Sequence, residues 1–474
     1  MRASEVIRLV GRLLAASVVC TALAAMTAAQ TVTVATLHTF TGITSVPYDG
    51  ANPAAPLVQG LDGKFYGTTL AGGTAAYLPF CDIYLYGCGT FFSIDTSGNL
   101  SILYSFCNAT CSDGYKPLSL VEGPWGTFYG TTDNTAFKIT PEGTDTTFYT
   151  FLPMSSCCVS PIWMIQGWDG AFHGTSYGPI GGANNGTVFR LTPGGKLTIS
   201  HVFCQQSCQD GFAPQGLIQA TDGNLYGVTF AGVNSYIDQT AGTVFRIGSS
   251  GFKTIYDFCS QANCADGAQP NGLVEGNDGN FYGTTQEGGA NGFGTFFKIT
   301  PSGVLTTLYN FCSMESCVDG GNPFPIILAS DGNFYGSTQL MGTFFQITPS
   351  GSFTFLYTNG YGPTGLLVQG TDGAFYGTAQ GGINGGAVFR VDLGLGPFVR
   401  PVVPFAKVGA TVTILGTDLH GATAVNFNGT PATFKVVSAT AIRTTVPVGA
   451  SSGPITVVTP AGSLTGNPTF TVVP

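Results

Sequence analysis

Apolar and polar positions in this chain alternate in short runs, with Gly, Pro, Asp and Asn interrupting them at regular points, which predicts strands and tight turns instead of helices. One stretch shows the unit: Asn271–Gly276 (NGLVEG), Asn280–Thr285 (NFYGTT), Thr295–Thr300 (TFFKIT) and Val304–Phe311 (VLTTLYNF). Within TFFKIT, Phe297 and Ile299 point to one face and Phe296 and Lys298 to the other, so a sheet of such strands offers aromatic surface on both sides. Asn277-Asp278-Gly279 and Pro301-Ser302-Gly303 supply the turns between strands, because Asp and Gly accept the backbone angles a hairpin needs.

The unit recurs. Closing glycines of the FYG-type strand stand at Gly67, Gly130, Gly174, Gly227, Gly283, Gly336 and Gly377, a spacing of about 52 residues. One copy, WGTFYG from Trp125, has lost its Asp. Four antiparallel strands, here A to D, repeated seven times predict an all-β fold, a seven-bladed β-propeller over residues 30–392. After the seventh GTVF-type strand (Gly386–Val391) no fourth strand follows, but a matching run, Val34–Phe40 (VATLHTF), opens the mature chain. The N-terminal strand is therefore expected to complete the last blade, leaving no open sheet end. In this topology the Asp-Gly and Pro-Ser-Gly turns share one rim, and the B–C and D–A loops share the other.

Composition refines the picture. Of 474 residues only 9% are charged, and glycine, at 69 residues, falls at turns and not at every third position, which excludes a collagen-like chain. Residues 1–29 have the layout of a secretory signal: Arg2, Arg8 and Arg12, a mostly apolar Leu9–Ala25, then Thr27-Ala28-Ala29. Those residues also carry Glu5, so without them 16 basic and 25 acidic residues become 13 and 24, a formal charge of −11. Nucleic acid is not an expected partner. No later stretch is long and apolar enough to span a bilayer as a helix.

Twelve cysteines follow the signal, and ten of them lie in close pairs: Cys81 and Cys88, Cys107 and Cys111, Cys204 and Cys208, Cys259 and Cys264, Cys312 and Cys317. An even count in an exported chain predicts five local disulfides, all on the loop-bearing rim. Zinc is the competing reading, weakened because two-cysteine sites with no completing histidine make poor zinc sites. Cys157 and Cys158 are adjacent, and their state is open.

Past the repeats, residues 393–404 read as a linker and 405–474 as a small β-sandwich, with alternating runs at Ala410–Leu415, Ala424–Phe427 and Pro454–Val458. Two resemblances can then be stated. Leu273–Phe311 resembles the GloVer tandem repeat of exported bacterial proteins, whose unit reads GLVxGxDGNFYGTTxxGGxxxxGTVFxITPSGxLTTLYxF, and the likeness runs over roughly residues 36–391. Gly409–Leu419 (GATVTILGTDL), Val425–Gly429 and Val446–Val457 resemble an IPT/TIG immunoglobulin-like domain. The first resemblance implies secretion or display on the outside of a bacterium and brings no catalytic residues with it. The second implies a spacer or interaction module.

The chemistry legible in the chain is sparse. There is no G-x-S-x-G elbow, H-E-x-x-H or nucleotide loop, so no catalytic residue, metal or cofactor is expected. The hairpin aspartates fit turn roles. Asp113, Asp210, Asp266 and Asp319, with Asp49, recur after the cysteine loops and are candidate ligand-binding residues, as are Tyr84 and Tyr86 in the first-repeat insertion beside Tyr77 and Phe80. His38 and His173 replace repeat tyrosines and are expected to pack within blades, as is Trp163 in an A strand; His201 and His420 have no visible catalytic partners. The function expected is a monomeric secreted or surface scaffold that binds a glycan or a cell-surface protein. The alternative is an extracellular carbohydrate-active lyase or hydrolase, whose paired carboxylates would assemble across blades.

Overall fold

The structure is a computed structural model that describes residues 32–42, 49–53, 55–74, 87–107, 111–151, 160–178, 185–205, 208–232, 241–358, 367–380, 385–467 and 469–474. The signal segment, Tyr77, Phe80, Cys81, Tyr84, Tyr86, Cys157 and Cys158 lie outside the described residues.

Each repeat folds as one antiparallel sheet of strands A to D in chain order, and there are seven such sheets among the described residues. In the fifth they are Ala268–Glu275, Phe281–Glu287, Thr295–Ile299 and Leu305–Asn310. In the seventh, Thr33–Phe40 supplies strand D and pairs along Gly386–Asp392, from Thr33 opposite Asp392 to Phe40 opposite Gly386.

The repeated phrase follows from how the sheets pack. The tyrosine of FYG in one sheet lies on the phenylalanine of FYG in the next: Tyr66 on Phe128 at 4.4 Å between centroids, Tyr282 on Phe334 at 4.5 Å, Tyr335 on Phe375 at 4.5 Å. Tyr376 of the seventh sheet then stacks on Phe65 of the first at 3.9 Å. The series lapses between the third and fourth sheets, where His173 and Leu225 hold these positions. The FYG glycine has a steric role. A Cβ on Gly283 would stand 2.6 Å from Cζ of Phe297, and one on Gly174 would stand 2.4 Å from Cζ of Phe189, so the strand C phenylalanine lies where a side chain would be.

Strand A starts earlier than the alternation predicts, at Ala268 and not Asn271, because it contains a bend. The residue before a recurrent proline has positive φ: Asn52 (53°), Lys116 (52°), Ala213 (54°), Gln269 (57°) and Asn322 (53°). That turn releases its N–H to the preceding repeat, as in Asn322 N–H donating to Phe293 O at 2.8 Å and Asn52 N–H to Gly385 O at 2.7 Å. The proline itself fills space left by the preceding repeat's glycine. A Cβ on Gly186 would meet Pro214 at 2.4 Å and one on Gly242 would meet Pro270 at 2.4 Å.

The C-terminal domain packs two four-stranded sheets around Val399, Val412, Ile414, Leu419, Val425, Phe427 and Ile455. The stretch read as a linker is shorter than residues 393–404. Arg400–Pro401 pairs with Thr411–Leu415, and Val399 is fully buried, so the sandwich recruits these residues for its own edge and core.

Candidate functional site

The loop-bearing rim is built by a repeated latch. Strand D ends in a tyrosine or histidine and then a phenylalanine; Phe106, Phe203, Phe258 and Phe311 are buried under strand C of the next sheet. The aromatic hydroxyl or imidazole meets the aspartate that closes the cysteine loop. Asp319 accepts from Tyr309 OH at 2.8 Å, Ser313 N–H at 2.8 Å, Ser313 Oγ at 3.1 Å and Met314 N–H at 3.1 Å. Asp266 accepts the equivalent set from Tyr256, Ser260 and Gln261. Where histidine replaces tyrosine the partner is kept: His201 Nε2 lies 2.8 Å from Asp210 Oδ2, and His38 Nε2 lies 2.8 Å from Asp49 Oδ2. Burial pushes the Asp210 carboxyl up, but His201 and the Cys204 N–H outweigh it and hold the group below its usual value.

These aspartates face inward. Asp266 and Asp319 are fully buried, and Asp113, which accepts from Tyr104 OH at 2.8 Å, is nearly so. Their geometry fits holding the loops in shape. Cys107 is bonded to Cys111, Cys204 to Cys208, Cys259 to Cys264 and Cys312 to Cys317, and all eight residues have positive φ, a conformation that L-residues adopt only when held. Cys88 is also in a disulfide, and its sulfur lies within 4.8 Å of those of Cys107 and Cys111. Around these loops Phe293, Met314, Val318, Leu340 and Met341 are exposed, and Phe293 and Leu340 converge on Gly321.

The hairpin aspartates take turn roles. Asp278 accepts from Asn280 N–H at 3.2 Å and Tyr282 OH at 3.0 Å, and Asp331 and Asp372 repeat the pattern. Their rim is covered by the C-terminal domain, which sequence reasoning did not anticipate. Thr440 Oγ1 donates to Leu61 O at 2.7 Å, Asn467 Nδ2 to Ala329 O at 2.7 Å, and Thr371 and Thr417 share a hydrogen bond of 3.1 Å. Trp125, the residue that replaced a hairpin Asp, carries Arg443 over its ring at 4.6 Å, and Trp168 approaches Phe405 at 6.2 Å. The signal was present in the chain: two of its three tryptophans lie in these hairpins. The third, Trp163, donates to Leu217 O at 3.1 Å and packs between sheets.

Between the domains lies a cavity of about 380 Å³, walled by the A strands and by residues 402–405. At its edge, the residue ending each A strand closes onto the preceding hairpin. Gln219 Oε1 accepts from Trp168 N–H at 2.7 Å, Gln369 Oε1 from Ser330 N–H at 2.8 Å, and Gln59 Oε1 from Thr371 N–H at 3.0 Å. The belt fails at three A strands, one of which ends in Leu328 and has no acceptor to offer. Gln166 faces the hairpin that has Pro124 where an N–H is needed, and its Oε1 has no protein partner; nor does either oxygen of Glu122, which is 8% exposed. Burial pushes the Glu122 carboxyl up to about 8 against the pull of Arg400. Arg400 donates to Gln59 O at 3.1 Å while its Nε is unpaired.

Consecutive four-stranded sheets with an immunoglobulin-like module on one rim define an all-β repeat protein of propeller-like build. The chain belongs to the Gloeobacter/Verrucomicrobia repeat family, whose model matches residues 77–263, 160–389 and 239–433; an IPT/TIG domain matches 397–472. Among solved structures it is similar to a streptogramin B lyase, with 17% identity and a TM-score of 0.51 over 76% of this chain and 97% of that one. It is also similar to virginiamycin B lyase from Staphylococcus aureus, with 15% identity and a TM-score of 0.52 over 76% and 99%. At such identity the likeness is one of fold. No curated protein matches the chain by sequence.

Proposed function

We propose that the protein is a secreted or surface-displayed binding scaffold: a seven-bladed β-propeller closed by its N-terminal strand, with its loop-bearing rim as the binding face for a glycan or a cell-surface protein. One observation carries this reading. The C-terminal domain occupies the hairpin rim, so the rim left open is the one with the cross-linked, variable loops and exposed apolar side chains. Loops held before binding lose little entropy on binding, which suits recognition. Asp113, Asp210, Asp266 and Asp319 would serve by holding those loops, and the insertion with Tyr84 and Tyr86 would supply contact surface.

A glycan array run beside a polysaccharide-turnover screen tests the assignment, with retention and no turnover expected; turnover without retention would make the protein a lyase or hydrolase instead. For a ligand so found, Tyr84→Ala, Tyr86→Ala, Asp266→Asn and Asp319→Asn should weaken binding, and Ser302→Ala and Ser350→Ala in the opposite turns should not. Loss in the turn variants alone would move the working face.

A further inference from the structure

We propose, resting on the reading of the loop-bearing rim as the binding face, that its fifth and sixth repeats take a basic amphipathic segment of a partner protein, with apolar side chains flanked by lysine or arginine. The apolar half of the match is already at the surface. Phe293, Met314, Val318, Leu340 and Met341 are between 36% and 45% exposed. They come from three loops and form one patch. Phe293 Cβ and Leu340 Cδ2 lie 2.9 and 3.3 Å from where a Cβ on Gly321 would stand. Val318 O accepts from Thr343 Oγ1 at 3.0 Å, two residues past Met341, and Cys317 N–H donates to Met314 O at 2.9 Å, which keeps Met314 within a turn of Val318. Large apolar side chains gathered in water in this way mark an interaction surface.

The backbone points the same way. Met341 stands at φ 70° beside Gly342 at 62°, a region that suits Gly, Asn or Asp, yet its side chain stays 45% exposed, so the fold gains little from the strain. Met314 and Met341 bring flexible thioethers that mould to an irregular apolar partner, while the Cys312–Cys317 bond and the Met314 N–H to Asp319 hold the loop beneath them. Charge selects the partner. Between Thr254 and Phe389 the chain has nine acidic residues and one basic residue, Lys298, which is held by Asp278 on the opposite rim at 2.7 Å. Glu315 is exposed next to Met314, and Glu287 precedes Gly288, which bridges to Phe293. A lysine or arginine gains attraction at these carboxylates, whereas an acidic partner, or a second copy of this chain, meets repulsion. A glycan would lose water from its hydroxyls against five apolar side chains.

The test uses the mature chain and three synthetic peptides about 14 residues long with helical periodicity: one of leucine and lysine, one with glutamate in place of lysine, and one with glutamine in place of leucine, each titrated calorimetrically. The leucine–lysine peptide should bind one to one and weaken about tenfold as salt is raised from about 0.05 M to about 0.5 M. The other two should bind at least about tenfold more weakly. Met314→Lys and Met341→Lys keep an unbranched side chain at exposed positions and should each weaken the leucine–lysine peptide about tenfold. Val448→Lys makes the same change of charge at an 89% exposed valine of the C-terminal domain and should leave binding within about twofold. The proposal is overturned if the leucine–lysine peptide does not bind, if either other peptide binds as tightly, or if Val448→Lys weakens binding as much as Met341→Lys. A glycan ligand that is lost in Tyr84→Ala and kept in Met314→Lys and Met341→Lys would also overturn it, while leaving the rim as the binding face.

Discussion

At the scale of single residues, positions that look alike do different work. Gly279 and Gly283 stand four residues apart in one phrase. Gly279 serves a turn at φ 73° with nothing near its missing Cβ, whereas a Cβ on Gly283 would meet Gly272 O at 2.5 Å and the Phe297 ring at 2.6 Å. Gly283→Ala should therefore destabilise through overpacking by about 1–3 kcal/mol. Gly279→Ala should cost about 1–2 kcal/mol through backbone conformation alone. Urea unfolding of both variants measures the difference, and equal loss from a Gly283→Ala protein whose Phe297 packing is unchanged would contradict the steric account. Asp145, in strand D of the second repeat, carries an oxygen without a protein partner, and burial together with Asp113 pushes its carboxyl up to about 7. Its folded value lies above the unfolded one, so its contribution is fully present below about pH 4 and is lost as pH rises through 7. Asp145→Asn should stabilise at pH 8.5 and change little at pH 4, as read from denaturation midpoints at the two pH values.

Elements cohere through partners in the next repeat as well as through their own sheet ladders. The bend before each strand A proline turns an N–H away from its own sheet, and the proline occupies the space of the preceding repeat's glycine. The seventh sheet depends on the other end of the chain for its last strand. Deleting residues 31–40 should leave Gly386–Asp392 as an open edge and uncover Phe389 and Val391, lowering the melting temperature and promoting aggregation. Thermal melting with light scattering checks this. A truncated protein that melts with the full chain and stays monomeric would sink the closure.

For the whole molecule, the docking of the C-terminal domain separates a covered rim from an open one and encloses Glu122 between them. Because burial raises that carboxyl from an ordinary 4.5 to about 8, its protonated form favours the folded, docked state. This contribution is complete below about pH 4.5 and disappears as pH rises through 8, on the order of a few kcal/mol in total. Glu122→Gln should flatten the fall in melting temperature between pH 5 and pH 9. A slope identical to that of the unaltered chain would place the titrating group elsewhere.

Local pattern was enough to read the repeat, the four strands, the turn roles of the hairpin aspartates and the immunoglobulin-like tail, because each depends on neighbours in sequence: alternation sets strand faces, and Asp-Gly sets a hairpin. The same local logic could not distinguish Asp319 as a buried loop anchor from Asp319 as a ligand contact, since the distinction lies in which way a carboxylate turns and how many amides already reach it. Nor could it tell that Pro124 would cost Gln166 a donor more than forty positions away, or that Arg400, read as linker, would sit half-buried near Glu122. Those outcomes depend on what packing brings together from distant parts of the chain. Burial, unpaired hydrogen bonds and shifted acidity exist only once the sheets and the C-terminal domain exclude water from the space between them.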